Sequence, residues 1–513
     1  MARSDHRVSA EKQPPVIVIG AGIGGMATAA RLARAGHTVE IHEAGGNTGG
    51  KCRTEWINGY AFDTGPSLLT LPAVYKDFFL KTGKRLEHVL ELEAVNPSFD
   101  YRFADGKSVR FENLSHNKTV ESIKNSLGSD AAESYHQLIE RADQMWEASR
   151  TDFVERELIS ISALLKQPGA MKKIRTISPF TSLRKLTRRY TRSPHIQKIM
   201  DRYATYTGSD PRKVPAVLLT IAFVEETFGA WHIKGGIGQL ANALENRCRE
   251  LGVTIHLNSP VKEIHHRSGE VVAVELSSGE KIPASIVIAN ADAAHVYNSL
   301  IPGKPAITRR PRRALKQAVP SLSGFSLLLG LRPDPSAAQL AHHTVFFPDD
   351  YDDEFDSIFH REQPVPDPAI YICAPKDSAM VSKEGSENWF VLVNAPRHDP
   401  LHGCDWNTPG LKERYAEQII STLESYGLTI RDRLDVMEIR TPADLETRTL
   451  APGGSIYGTS SNGPRAAFLR AKNRSPIKGL YCVGGSAHPG GGLPLVGISA
   501  EIVAEAVEEL AEQ

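Results

Sequence analysis

"PVIVIGAGIGGMATAARLARAGHTVEIHEA" spans residues 15–44, and its reading decides the fold. "VIVI" is a short β-branched run that reads as a buried strand. A G-x-G-x-x-G pattern follows as Gly20, Gly22 and Gly25, and then a helix of small residues. After Gly36 a second strand, "TVEIHE", ends at Glu43. Gly20 makes the tight turn, Gly22 lets backbone approach a pyrophosphate, and Gly25 lets helix pack on sheet. The helix N-terminus offers unpaired N–H groups and partial positive charge to phosphates. Glu43 is placed to accept hydrogen bonds from a ribose hydroxyl. A lone glycine pattern is weak. Strand, helix, second strand and terminal acid together predict a dinucleotide site.

The continuation separates NAD from FAD. Residues 43–70, "EAGGNTGGKCRTEWINGYAFDTGPSLLT", hold a second glycine pair, Gly49-Gly50, followed by Lys51 and Arg53. "GYAFD" and "TGPS" come next. A simple NAD domain has no reason to extend this way. A longer cofactor needs further backbone surface and a positive group for its second phosphate and flavin end.

On these residues the chain resembles the FAD-dependent carotenoid desaturases, of the bacterial phytoene desaturase type within the flavin amine oxidase superfamily. The shared elements are G-x-G-x-x-G, Glu43, the Gly-Gly pair with a basic residue, and "FDTGPS" (62–67). Many relatives carry Arg after the pair; Lys51 keeps the charge but loses the bidentate fork. The resemblance implies FAD held by Gly20, Gly22, Gly25, Glu43, Gly50, Lys51, Gly65, Pro66 and Ser67. It adds Val261, in "SPVKEI", as a backbone contact to the adenine. It also gives a place to the late stretch "GLYCVGGSAHPGGGLPLVGISAEIVAEAVEEL" (479–510). There a strand leads to a bare turn beside the flavin, and the last helix starts against it. Gly484, Gly485, His488, Pro489, Pro494, Leu495 and Val496 are the expected wall. Its "HPGGGLPLV" form resembles later-acting carotenoid desaturases and oxygenases as much as phytoene enzymes.

At 513 residues the chain exceeds one simple core. The fold expected is α/β: a Rossmann-like FAD-binding domain with a β-meander, plus a mixed α+β substrate domain with a helical, membrane-associating part. The boundaries are 1–110 for the FAD-binding part and 111–232 for the helical part. Residues 233–300 return to the FAD-binding domain, 301–440 bind substrate, and 441–513 return again. Lys+Arg and Asp+Glu are equal at 60 each, which gives no global charge for nucleic acid. Five scattered cysteines without a C-x-x-C pair argue against a disulfide framework and fit a reducing cytoplasm. The polar start "MARSDHRVSAEKQPP" lacks the apolar core of a secretory signal. The run "VPAVLLTIAFV" (214–224) is about half the length of a membrane span.

The segment 166–192 has nine Lys/Arg and no acid, with Ile174, Ile177, Phe180, Leu183 and Leu186 interleaved. It is either a solvated basic face or an interfacial segment on anionic lipid. A lipophilic polyene substrate favours the second, so the expected location is cytoplasmic and peripheral to the membrane. Oligomeric state stays open. No metal is expected, because the histidines between 256 and 295 lack a carboxylate or cysteine at ligand spacing. His342-His343 either packs or faces substrate. For a proton acceptor the candidates are Glu225 and His488, with Asp201-Arg202 as possible lining.

The function implied is desaturation of a phytoene-type polyene by hydride transfer to flavin. Carotenoid isomerases, hydroxycarotenoid desaturases and ketolases or oxygenases share the same motifs. A flavin-fold lipid carrier without redox chemistry is the reading from another class, and an amine oxidase is a third.

Overall fold

The computed structural model describes residues 14–158, 166 and 169–511. Residues of the polar N-terminus before 14 lie outside the described residues. Five parallel strands form the first sheet, in the order Thr254–His256, Val39–His42, Val16–Ile19, Val287–Ala289 and Leu480–Cys482. The first strand reads as a continuous apolar run because both of its faces are covered. Val16, Val18, Val39 and Ile41 pack under the helices Ile23–Ala35, Gly238–Glu250 and Leu493–Ala511. Ile17 and Ile19 face a three-stranded antiparallel meander, Val261–Arg267, Glu270–Leu276 and Lys281–Pro283. Three separate stretches of chain therefore build this sheet and its meander.

The second sheet has seven strands, in the order Leu434–Arg440, Ser323–Leu331, Glu387–Ala395, Ile370–Cys373, His343–Phe347, Phe99–Phe103 and Ser108–Phe111. Its pairs are antiparallel, except that Phe99–Phe103 runs parallel to His343–Phe347. The strands Phe99–Phe103 and Ser108–Phe111, expected up to residue 110 with the cofactor part, thus belong to the other sheet. Their alternating apolar residues Phe99, Tyr101 and Phe103 are buried against helical elements from residues 116–228. The opposite face is closed by the helix Leu411–Ser425.

Within the basic segment, Ala170–Ile177 and Leu183–Tyr190 are helices. Leu183 and Leu186 are fully or almost fully buried in the helical core, and Ile177 is also buried. They therefore do not dip outward as the interfacial reading expected. Met171 and Phe180 do face outward, Phe180 being 86% exposed. Residues 167 and 168 lie outside the described residues. Among the described residues no helix is long and apolar enough to cross a membrane.

Candidate active site

The two glycine-rich turns, more than 450 residues apart in sequence, meet at the end of the first sheet. A Cβ on Gly25 would fall on the Gly20 carbonyl oxygen, so the turn closes only with glycine. A Cβ on Gly24 would stand 3.2 Å from Gly484 Cα and 3.3 Å from Val496 Cγ1. The Asn290 side chain fills the space beside Gly22, Gly24 and Gly484. Gly22 is the N-cap of the first helix and supplies no side-chain cap, which leaves its leading N–H groups for a ligand. Gly50 lies over Gly22, and the Gly49 N–H donates to the Ala21 carbonyl at 2.8 Å.

Glu43 follows the second strand and organises the loop beside the glycine turn. Its carboxylate accepts from the N–H groups of Ala21 and Gly45, both at 2.8 Å. The Ser259 N–H donates to its carbonyl at 2.8 Å, which brings the meander's entry alongside. Val261 opens that meander strand and pairs with Leu276.

Lys51 and Gly65 are joined directly. A Cβ on Gly65 would overlap the Lys51 carbonyl, so the turn "DTGPS" folds against the Gly-Gly-Lys loop. The Lys51 Nζ donates to the carbonyls of Ser455 and Ile456 at 3.2 and 2.8 Å. Arg470 works similarly from the other side. It donates to the carbonyls of Tyr457 and Gly485 through Nη1, and to Thr459 at 2.7 Å through Nη2. Burial pushes Lys51 down from its ordinary value and Arg470 down to about 10, with Asp292 opposing both shifts. Two cations bonded only to neutral carbonyls thus face one nearby carboxylate. That imbalance, together with an uncapped helix N-terminus, fits a diphosphate.

The late stretch forms a strand, a turn and a helix start. Gly484 and Gly485 follow the strand Leu480–Cys482, while Pro494, Leu495 and Val496 lie in the first turn of Leu493–Ala511. Asn473 holds this turn: its fully buried Nδ2 donates to the carbonyls of Cys482 and His488 and to Ser499 Oγ. The ring of His488 is turned away from the other candidates. Its Nε2 bonds the Arg156 carbonyl at 2.8 Å, and burial drives the imidazole down to about 4. A neutral, fully packed ring holds the turn in shape.

The second sheet contributes a buried polar chain. Ser67 Oγ meets the Tyr371 hydroxyl at 2.7 Å, and that hydroxyl meets His343 Nδ1 at 2.8 Å. Burial lowers His342 to about 3 and holds His343 well below its ordinary value, so both rings are neutral. Arg202 lies over Phe99, Tyr206, Tyr101 and Tyr371, with its guanidinium carbon 4.7 to 5.8 Å from their centroids. Its Nη1 donates to the Tyr206 hydroxyl at 3.0 Å. Glu225, 4% exposed, accepts from the Tyr203 and Tyr206 hydroxyls at 2.8 Å each. Burial raises its carboxyl, and the Arg202 charge opposes the shift. The Asp201-Arg202 pair splits: Asp201 turns to Arg184 at 2.9 Å.

Residues 23–359 match the family described as flavin containing amine oxidoreductase. The chain belongs to that family. Among relatives of these flavin oxidoreductases, a 4,4'-diapolycopene oxygenase of Methylomonas is 32% identical over 96% of this chain and 97% of its own length. A hydroxyneurosporene desaturase of Rubrivivax gelatinosus is 30% identical, over 96% and 92%. The fold also matches a putrescine oxidase at TM-score 0.66 and 15% identity, covering 98% of this chain and 99% of that one. The cofactor is FAD, the group that the glycine turns, Glu43 and the two cations fit.

Sequence reading missed Arg470, Asn473 and Tyr371. Each works through a buried side chain whose partners are backbone carbonyls or distant hydroxyls, and no local spacing marks such a residue. A charged or amide residue in the otherwise small and apolar "AAFLRAKN" (466–473) is the one hint available.

Proposed function

We propose that this flavoprotein oxidises an acyclic carotenoid, acting on a conjugated polyene or its end group rather than on phytoene. The observation that carries this is Arg202, a cation set among four aromatic rings. A conjugated chain presents a polarisable face to that charge, and an oxygenated end accepts its N–H groups. A saturated stretch of hydrocarbon does neither. The similarity to the diapolycopene oxygenase and the hydroxyneurosporene desaturase supports the same reading.

FAD supplies the hydride acceptor. Gly20, Gly22, Gly25, Glu43, Gly50, Lys51, Gly484 and Gly485 would hold it, with Val261 at the adenine end and Gly65, Pro66, Leu495 and Pro494 at the ring end. Protein groups must then grip an apolar chain, exclude water and move a proton. The aromatic rings around Arg202 form the dry wall. The chain Ser67 Oγ–Tyr371 OH–His343 Nδ1 holds the Tyr371 hydroxyl in a fixed direction, with the neutral His343 ring as its hydrogen-bond partner rather than as a proton acceptor. Glu225 accepts from Tyr203 and Tyr206, and the Tyr206 hydroxyl in turn holds Arg202 in place.

A second reading is phytoene desaturation, favoured by the motifs shared with those enzymes. Carotenoid isomerisation uses the same frame. Expression of the gene in hosts that accumulate either phytoene or a coloured acyclic carotenoid separates these. We expect oxygenated or further desaturated products from the coloured substrate and unchanged phytoene. Conversion of phytoene to longer conjugated chains would move the assignment to the second reading. A product differing only in double-bond geometry would make it an isomerase. The protein is further proposed to work in the cytoplasm at a membrane surface, where such a substrate resides.

A further inference from the structure

The strand Val39–His42 and the edge strand Thr254–His256 bring Glu40, His42 and His256 together. Glu40 and His42 are two apart on one strand and share a face. His256 is the direct cross-strand neighbour of His42. The two imidazoles stack with centroids 4.7 Å apart and planes 13° apart. Their Nε2 atoms stand 3.8 and 3.4 Å from Glu40 Oε2. Both nitrogens are buried and have no hydrogen-bond partner among the described residues. Ligands at about 2.1 Å around a tetrahedral ion stand about 3.4 Å apart, close to these separations.

We infer that Glu40, His42 and His256 form a site for a divalent transition ion of the zinc class, which clamps the edge strand to the cofactor sheet. Two imidazoles and one carboxylate are a donor set that such ions favour, with a fourth position open to water. The orientation of His42 is already fixed for the task. Its Nδ1 bonds Ser259 Oγ at 2.9 Å, and with Nδ1 donating, Nε2 presents its lone pair to the ion. His42 is 3% exposed, while the His256 side chain is 41% exposed and leaves a route in from solvent. Sequence spacing hid this group because its carboxylate lies more than 200 residues from His256.

The clamp has a purpose in the fold. The edge strand has only three residues of pairing, and Glu43 follows His42 immediately. Fixing that edge steadies the ribose side of the FAD site without touching the chemistry.

The test uses the full-length, FAD-loaded protein without a polyhistidine tag, stripped by a chelator and titrated with ZnCl2 and then CoCl2. We expect one zinc per chain retained through gel filtration and visible cobalt bands of a low-coordinate nitrogen–oxygen site. At about a hundredfold excess over Kd, zinc should raise the thermal midpoint by about 2–3 °C. Glu40→Gln and His256→Gln should each weaken zinc binding about tenfold or more while keeping FAD absorbance. His265→Gln, in the separate Glu263–His265–Glu275 group, should bind zinc as the wild type does. No retained zinc in the wild type, or equal retention in both Glu40→Gln and His256→Gln, would overturn the site. So would loss of zinc in His265→Gln alone.

Discussion

Gly65 shows how little room a single residue has. It follows the strand Tyr60–Asp63, and a methyl group there would overlap the Lys51 carbonyl. Gly65→Ala must therefore push the Gly-Gly-Lys loop away from the first glycine turn. Overpacking of this kind costs about 1–3 kcal/mol, here beside residues proposed to hold FAD. We expect FAD retention, measured as flavin absorbance per protein, to fall about tenfold. Full flavin content in that variant would remove the close approach from the account. Glu354 makes the second residue-scale case. It is fully buried, accepts from the Ala369 N–H and Asn394 Nδ2 at 2.8 Å each, and burial raises its carboxyl to about 7. A carboxyl raised in the folded state favours folding fully below its ordinary value of 4.5, and that contribution is lost as pH rises through about 7. The wild type should lose on the order of 3 kcal/mol across that window. Glu354→Gln should flatten the slope, as read by denaturant midpoints at pH 5 to 8 (roughly the linkage window).

At the scale of elements, the terminal turn and helix depend on one side chain outside both. Asn473 bridges the end of the strand Leu480–Cys482, the His488 carbonyl and Ser499 of the last helix. Asn473→Ala removes the side-chain donor to the Cys482 carbonyl and one of two donors to the His488 carbonyl, which Ser499 Oγ still reaches at 2.8 Å, and costs about 1–3 kcal/mol. The expected result is a lower thermal midpoint together with faster FAD release, because the flavin wall is the element released. A drop in midpoint with unaltered FAD release would separate the turn from the cofactor. The basic helices show the opposite relation between element and pattern. Leu183 and Leu186 look interfacial in sequence, yet they are core, because the helix Leu183–Tyr190 turns that stripe toward the long helix Ser129–Phe153. Helical periodicity identifies an apolar face and does not say what covers it.

At the scale of the molecule, the outward residues beside those helices carry the membrane proposal. Met171 is 74% and Phe180 86% exposed, amid Lys172, Lys173, Arg175 and Lys185. Exposed side chains can be changed with little effect on the fold. Met171→Asp with Phe180→Asp should weaken sedimentation with anionic vesicles about tenfold and leave the thermal midpoint within 1 °C or so. Equal sedimentation of the double variant would place membrane contact elsewhere. The sequence by itself determined the FAD layer: its strand, glycine turn, helix and acid are contiguous, and local chemistry makes each readable. It also located the late glycine turn, since backbone that bare between strand and helix implies a close approach. Tertiary structure alone decided what meets there. Asn290 between the two turns, Arg470 beside Lys51, Arg202 among its rings and His256 beside Glu40 are pairings across tens to hundreds of residues. Such contacts are set by sheet order and packing, and no spacing along the chain encodes them.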